Sequence, residues 1–296
     1  MKLLTRMKVV ATAAVCVLTT TLSAVTQEDL LACIDDSGRL VIPSDMTEIP
    51  DRSFCDCGDL KSVVIPSTVK TVGKKAFKRC QDLVSVEIKG SGTEFGDEAF
   101  SDCPKLTSVT LPEGMKVIGS SMFDGCSEAS VTIPASVTTI DDAALLGVKE
   151  IAVASGSASF KVVNGLLLSK DGTRLIQCPG SASGDLEFPS GVKTIGGGAF
   201  AGCPSLSTIT IPASVTVIES WAFYDYPATG EIRCAAENAK FCVRDGALLT
   251  KDGTRRKENL RCVCRSEWRD EDWRFGVLRT RRNDFRVVPE WACRDW

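Results

Sequence analysis

Histidine is missing from all 296 residues of the chain. Its absence removes Ser-His-Asp and Cys-His catalysis, His-ligated zinc and any imidazole pH switch from the molecule. An excess of one charge is missing too: 35 Lys and Arg stand against 38 Asp and Glu, a net of −3, so nothing in the electrostatics calls for nucleic acid. Aromatic residues make up only 6% of the chain. With 44% hydrophobic and 25% charged residues the remaining composition is that of a folded soluble protein, which excludes collagen-like, coiled-coil and wholly disordered chains.

Long apolar runs are also scarce, and the one present is N-terminal. Lys2, Arg6 and Lys8 precede an apolar stretch from Val9 to Leu22, followed by Ser23 and Ala24 and then by Gln27, Glu28 and Asp29. This is the layout of a secretory signal peptide over residues 1–25. A spanning helix needs about 20 apolar residues, and this run is shorter and broken by Thr12 and by Thr19 to Thr21. The expectation is a secreted or cell-surface protein after signal-peptide cleavage, with no membrane span in the mature chain.

What the chain does have is a repeat. Phe54, Phe77, Phe100 and Phe123 fall 23 residues apart, and Phe200 and Phe223 resume the interval. Ile42-Pro43, Ile65-Pro66, Leu111-Pro112, Ile133-Pro134, Phe188-Pro189 and Ile211-Pro212 keep the same beat, with Lys89 in the place of one proline. A period of this length marks a stacked array in which no unit buries its apolar face alone. Each Leu-x-x-Val-x-Ile stretch reads as a strand. The proline after it cannot continue a ladder and turns the chain. Gly73, Gly96, Gly119 and Gly196 are expected to supply permissive backbone at the bend of each unit.

The unit running from Leu60 through Val63, Ile65-Pro66, Val69, Val72-Gly73 and Ala76-Phe77 to Cys80 resembles the BspA-like leucine-rich repeats. The resemblance covers about 38–254. It implies a mostly β repeat solenoid, a right-handed leucine-rich-repeat coil with β-hairpin insertions. It also implies an exported surface or secreted protein, some members of the family being implicated in adhesion. No enzyme activity and no cofactor come with it.

Two segments interrupt the beat, near 154–183 and 235–254. The first carries Phe160, Val162-Val163, Asn164-Gly165, Leu166 to Leu168 and Asp171-Gly172, so two tight hairpin turns are expected there. A second copy begins 81 residues later at Phe241 and is lost after Arg255. The stretch 255–296 that follows is basic and holds Trp268, Trp273, Trp291 and Trp296, four of the five tryptophans. It reads as translation from a shifted frame, as a poorly ordered Arg/Trp-rich tail, or as a separate module.

Fourteen cysteines suggest disulfides or metal, yet Cys57, Cys80, Cys103, Cys126 and Cys203 occupy one repeat slot, three residues after the phenylalanine, where a small buried side chain suits the corner. Cys234 and Cys242 are the better placed pair for a disulfide. Cys55/Cys57 and Cys262/Cys264 are too far from a four-ligand zinc pattern to be metal sites, and Asp35-Asp36 and Asp141-Asp142 lack the spacing of a calcium loop, so no metal is expected. Recognition belongs on the exposed face of the stacked strands. With Val63 and Ile65 inward, Val64 faces out, and the equivalent rungs are Glu87, Thr110, Thr132, Glu187 and Thr210, with Ser62, Ser85, Ser108 and Thr208 beside them. The reading is a non-enzymatic binding or adhesion module that contacts a protein or glycan at a cell surface. A structural or truncated array without its own partner is the alternative, and a polysaccharide-acting enzyme the lesser one.

Overall fold

The computed structural model describes residues 30–224, 226, 230–244 and 247–251. The signal-peptide segment, the tail, Cys262 and Cys264 lie outside the described residues. Each unit holds a strand whose alternate side chains turn inward, as do Val63 and Ile65, which with Leu60 just before the strand are all but fully buried. The strands β1 (Arg39–Val41), β3 (Ser62–Ile65), β5 (Ser85–Ile88), β7 (Ser108–Thr110), β9 (Ser130–Ile133) and β11 (Glu150–Val153) stack in parallel into one six-stranded sheet. On the other side of each coil runs a two-residue strand: β2 (Glu48–Ile49), β4 (Thr71–Val72), β6 (Glu94–Phe95), β8 (Val117–Ile118) and β10 (Thr139–Ile140). These pair in two groups, β2-β4-β6 and β8-β10, again parallel.

The corner between the short strand and the next long one is also hydrogen-bonded from coil to coil. The Phe54, Phe77, Phe100 and Phe123 amides donate to Ala76, Ala99, Met122 and Ala144 carbonyls at 2.8 to 3.0 Å. The backbone of the corner is thus satisfied without a helix or a sheet. The rings at this slot form a buried spine: Phe54, Phe77, Phe100 and Phe123 stack at centroid spacings of 5.1, 5.5 and 5.7 Å. Phe200 and Phe223 repeat it at 5.2 Å.

The bend is built differently from the sequence expectation. Gly73, Gly96, Gly119 and Gly196 are absent from the left-handed backbone positions. That conformation falls instead on Arg52, Lys75, Glu98, Ser121, Ala143, Gly198 and Trp221, and four residues later on Asp56, Arg79, Asp102, Gly125, Gly147 and Gly202. Three of the four glycines are needed for close approach. A Cβ on Gly73 would lie 2.5 Å from the Asp51 nitrogen, one on Gly96 2.6 Å from the Lys74 nitrogen, and one on Gly196 2.7 Å from the Leu175 oxygen. At Gly119 the nearest atom is 3.4 Å away, an ordinary contact.

After β11 the chain leaves the beat as a hairpin, β12 (Phe160–Val163) and β13 (Leu166–Ser169), followed by β14 (Arg174–Gln177). Asn164 and Gly165, with φ of 52° and 78°, make the two-residue turn with both central residues left-handed. Asp171 holds the second turn by accepting from the Thr173 amide and from the Ser169 and Thr173 hydroxyls. β14 then joins a parallel ladder with β16 (Thr194–Ile195) and β18 (Val217–Ile218), while β15 (Ser183–Leu186), β17 (Ser205–Ile211) and β19 (Glu231–Cys234) form a second long-strand sheet. The second insertion, β20 (Phe241–Arg244) and β21 (Ala247–Thr250), pairs Phe241 with Thr250 just as Phe160 pairs with Ser169. The core divides at the first hairpin into one cluster from Leu30 to Leu167 and another from Leu166 to Leu248.

The cysteine slot holds as expected at Cys80, Cys103, Cys126 and Cys203, which are buried, but not at Cys57, which is only partly covered at the N-terminal end of the array. These thiols are more than filler. Cys80, Cys103 and Cys126 donate to the carbonyls of Phe54, Phe77 and Phe100 in the preceding coil at 3.0 to 3.2 Å, and Cys203 donates to Cys178. Hydrogen bonding to Cys103 and then burial push the Cys80 and Cys126 thiols up, so both stay protonated. Cys234 and Cys242 are both free thiols, not the disulfide expected. The Cys234 sulfur is instead directed to the Phe241 carbonyl at 3.2 Å.

Candidate ligand-binding face

The six-stranded sheet carries two outward rows. One runs Arg39, Ser62, Ser85, Ser108, Ser130 and Glu150, each in register with the next. The other includes Val41, Val64, Glu87, Thr110, Thr132 and Ala152, with Val64 opposite Glu87 and Thr110 opposite Thr132. Glu87, Thr110 and Thr132 are exposed as expected. Val64 is not: it lies between Val41 and Glu87 on the adjoining rungs and is only 8% exposed. Glu187 and Thr210 are exposed as well, but at the second long-strand sheet: Glu187 directly follows β15, Thr210 faces Arg233, and Thr208 is half-buried. The five residues therefore belong to two faces, three on the first and two on the second.

Thr110 and Thr132 line a groove of about 480 Å³ at the C-terminal ends of the strands. Its walls are apolar at Ile88, Leu111, Pro112, Pro134 and Ala154 and polar at Ser67 and Ser91, with Lys89 and Glu113 as its charged residues. The groove forms where one unit departs from the repeat. Pairing of β5 with β7 reaches only Val86 and Val109, whereas β7 and β9 continue to Thr110 and Thr132. In the same unit Gly92 takes the slot filled by buried Val69 and Met115 in the flanking coils, and Thr93 is buried in its stead, donating to the Val69 carbonyl at 3.1 Å. Lys89 in place of proline was the visible signal of this departure; that it opens a groove lined by Pro112, Glu113 and Pro134 was not legible from one unit alone.

A smaller cleft of about 250 Å³ opens beside the first hairpin, lined by Thr138 to Leu145 on one side and by Phe160, Ser169, Arg174, Ile176, Gln177 and Gly197 on the other. Asp141 and Asp142, which lack the spacing of a calcium loop, are exposed and form part of this wall. Arg174 makes a bidentate pair with Glu219, which also accepts from the Gly197 amide at 3.0 Å. The guanidinium holds Glu219 below the usual carboxylate range, and Glu219 in turn raises Arg174. Among the described residues no group of three or more His, Cys, Asp or Glu is arranged to hold a metal ion. Among them, too, no helix is long and apolar enough to cross a membrane.

The neighbours of this fold are bacterial repeat proteins. A leucine-rich repeat protein from Eubacterium ventriosum is 25% identical with a TM-score of 0.55, over 68% of this chain and 60% of its own, so the match spans less than two thirds of that protein. The pneumococcal vaccine antigen PcpA shares the fold at 23% identity and a TM-score of 0.52, over 66% of this chain and 62% of its own. A leucine rich cell surface protein from Faecalibacterium prausnitzii is 26% identical with a TM-score of 0.43, over 67% of this chain and 69% of its own. No curated protein matches the sequence. The BspA type leucine rich repeat region matches in six copies over residues 34–152 and 180–241. With that match over more than half its length, the chain belongs to the BspA-type leucine-rich-repeat family.

Proposed function

We propose that this protein is an exported, non-enzymatic binding module that uses its first long-strand face to hold a protein or glycan at a cell surface. The observation that carries the reading is the exposed row through Glu87, Thr110 and Thr132 ending in the groove of about 480 Å³. Solenoids recognise partners on such extended faces. The groove's apolar walls of leucine and proline side chains favour an extended segment of a partner protein over a sugar chain. Hydrolysis finds little support in it, because Glu113 is the only carboxylate in its lining, and a paired-acid mechanism needs two flanking one bond. Export is supported by the N-terminal layout of residues 1–25, and BspA-type repeat proteins are typically found at cell surfaces.

The test is to replace Thr110 and Thr132 by Lys and measure saturable binding of the labelled protein to intact cells. Loss of binding by at least about tenfold, equivalent to 1.4 kcal/mol, is expected. Undiminished binding removes the strand face as the site.

A further inference from the structure

We propose that Asn164, at the tip of the first hairpin, is a site of spontaneous modification by water, through which the main chain of the turn is rerouted and the hairpin loosened. It is separate from the strand face and does not depend on it. Asn164 is the only asparagine of the chain that is followed by glycine. It is exposed, and among the described residues its carboxamide has no hydrogen-bond partner. Gly165 stands in open space, since a Cβ added there would meet nothing within 4 Å. The Gly165 nitrogen therefore has no side chain of its own to shield it. That nitrogen attacks the Asn164 side-chain carbonyl carbon. The bond from this carbon to the amide nitrogen breaks, ammonia leaves with the proton given up by the Gly165 nitrogen, and a succinimide ring remains. Water then opens the ring. Breaking the newly made C–N bond gives aspartate, and breaking the original main-chain bond gives isoaspartate, with no oxidant or reductant in either route.

The two products meet the fold differently. The second hairpin pairs Phe241 with Thr250 and Arg244 with Ala247, as the first pairs Phe160 with Ser169 and Val163 with Leu166. In sequence it carries Asp245-Gly246 where the first carries Asn164-Gly165. Aspartate thus already stands at this position of the same hairpin register. Isoaspartate does not fit, because it carries the main chain through the former side-chain methylene and adds an atom to a turn of two residues with φ of 52° and 78°. Hairpin register is set by loop length, and a slip turns each side chain to the other face. Here Leu166 packs in the second core cluster and Leu167 in the first, so the slip is felt in both. Asn238 is the contrasting case: it is fully buried, followed by Ala239 and held by four hydrogen bonds, and it supplies no such site.

The experiment is peptide mapping by mass spectrometry of the full chain held folded at mildly alkaline pH, beside the free peptide spanning 160–169. Hairpin tips open locally at small cost, so Asn164 is expected to gain about one dalton within about thirty half-lives of the free peptide, with Asn238 unchanged over the same time. Digestion by a protease that cuts before aspartate but not before isoaspartate separates the two products. Hydrogen exchange across 160–169 should be faster in the isoaspartate form and unchanged in Asn164→Asp. Asn164→Gly, which keeps a residue suited to the left-handed position, should show no gain. No gain at Asn164 in that time, an equal gain at Asn238, or an isoaspartate form with wild-type exchange overturns the proposal.

Discussion

Gly73 and Ser121 sit in the same turn of different coils, yet they are constrained for opposite reasons. Gly73 has ordinary backbone angles but no room, whereas Ser121 has room but a φ of 51°. Gly73→Ala drives a methyl group into the backbone of Pro50 and Asp51, and thermal or urea unfolding should show a loss of about 1–3 kcal/mol. Gly119→Ala, at the equivalent slot without the close contact, should stay within about 0.5 kcal/mol. Ser121→Gly should gain up to about 1 kcal/mol by relieving the left-handed strain. Equal losses at Gly73 and Gly119 would contradict this division. The sequence pattern shows that a glycine recurs here. It does not show whether φ or proximity demands it, because that depends on how closely the next coil approaches.

Among the elements, the two hairpins are tied into the array by different polar groups. At the second, buried Asn238 donates to the Pro212 and Val215 carbonyls and accepts from the Lys240 and Phe241 amides, four bonds that fix the entry to β20. Asn238→Ala strands those groups, at a cost of about 2–3 kcal/mol. Hydrogen exchange should then accelerate across 241–250 and leave β3 and β5 unchanged. At the first hairpin the tie is Arg174 to Glu219, which spans 45 residues from β14 to the coil after β18. Glu219 is depressed below its ordinary value of 4.5, so its contribution is present above that pH and is lost as the pH falls through the lower folded value. Both side chains are more than a third exposed, so the loss should be under about 1 kcal/mol. Comparing acid unfolding of the wild type with Glu219→Gln measures it: the variant should start less stable near neutrality, and the two curves should converge below pH 4.5.

At the scale of the whole molecule, stability is carried by contacts between neighbouring coils, through parallel ladders, the phenylalanine spine and cross-coil ion pairs. Lys74 to Asp97 at 3.0 Å, Lys75 to Glu98 at 3.1 Å and Lys105 to Asp82 at 2.7 Å join positions 23 apart, so a slipped register would separate them. This architecture was legible in the sequence because Phe54 to Phe123 and the Ile-Pro steps repeat in phase, and in-phase repetition leaves one way to stack. The hairpins were legible from Asn164-Gly165 for the same local reason. The sites were less so. Thr110 and Thr132 could be placed on an outward row by alternation, but the groove beside them depends on where the β5–β7 ladder stops. The cleft at Asp142 and Arg174 joins residues of different coils across an insertion, and no periodicity relates them.

Docking of a partner on the long-strand face, as proposed, can be tested by site-specific photo-crosslinking. A photoreactive residue at Thr132 sits on that face beside the groove, whereas one at Lys116 sits next to the short strand of the neighbouring coil, across the core from the face. With protein bound saturably to intact cells, a discrete cross-linked product is expected from position 132 and none from 116. Equal labelling from the two positions, or labelling from 116 alone, would contradict it.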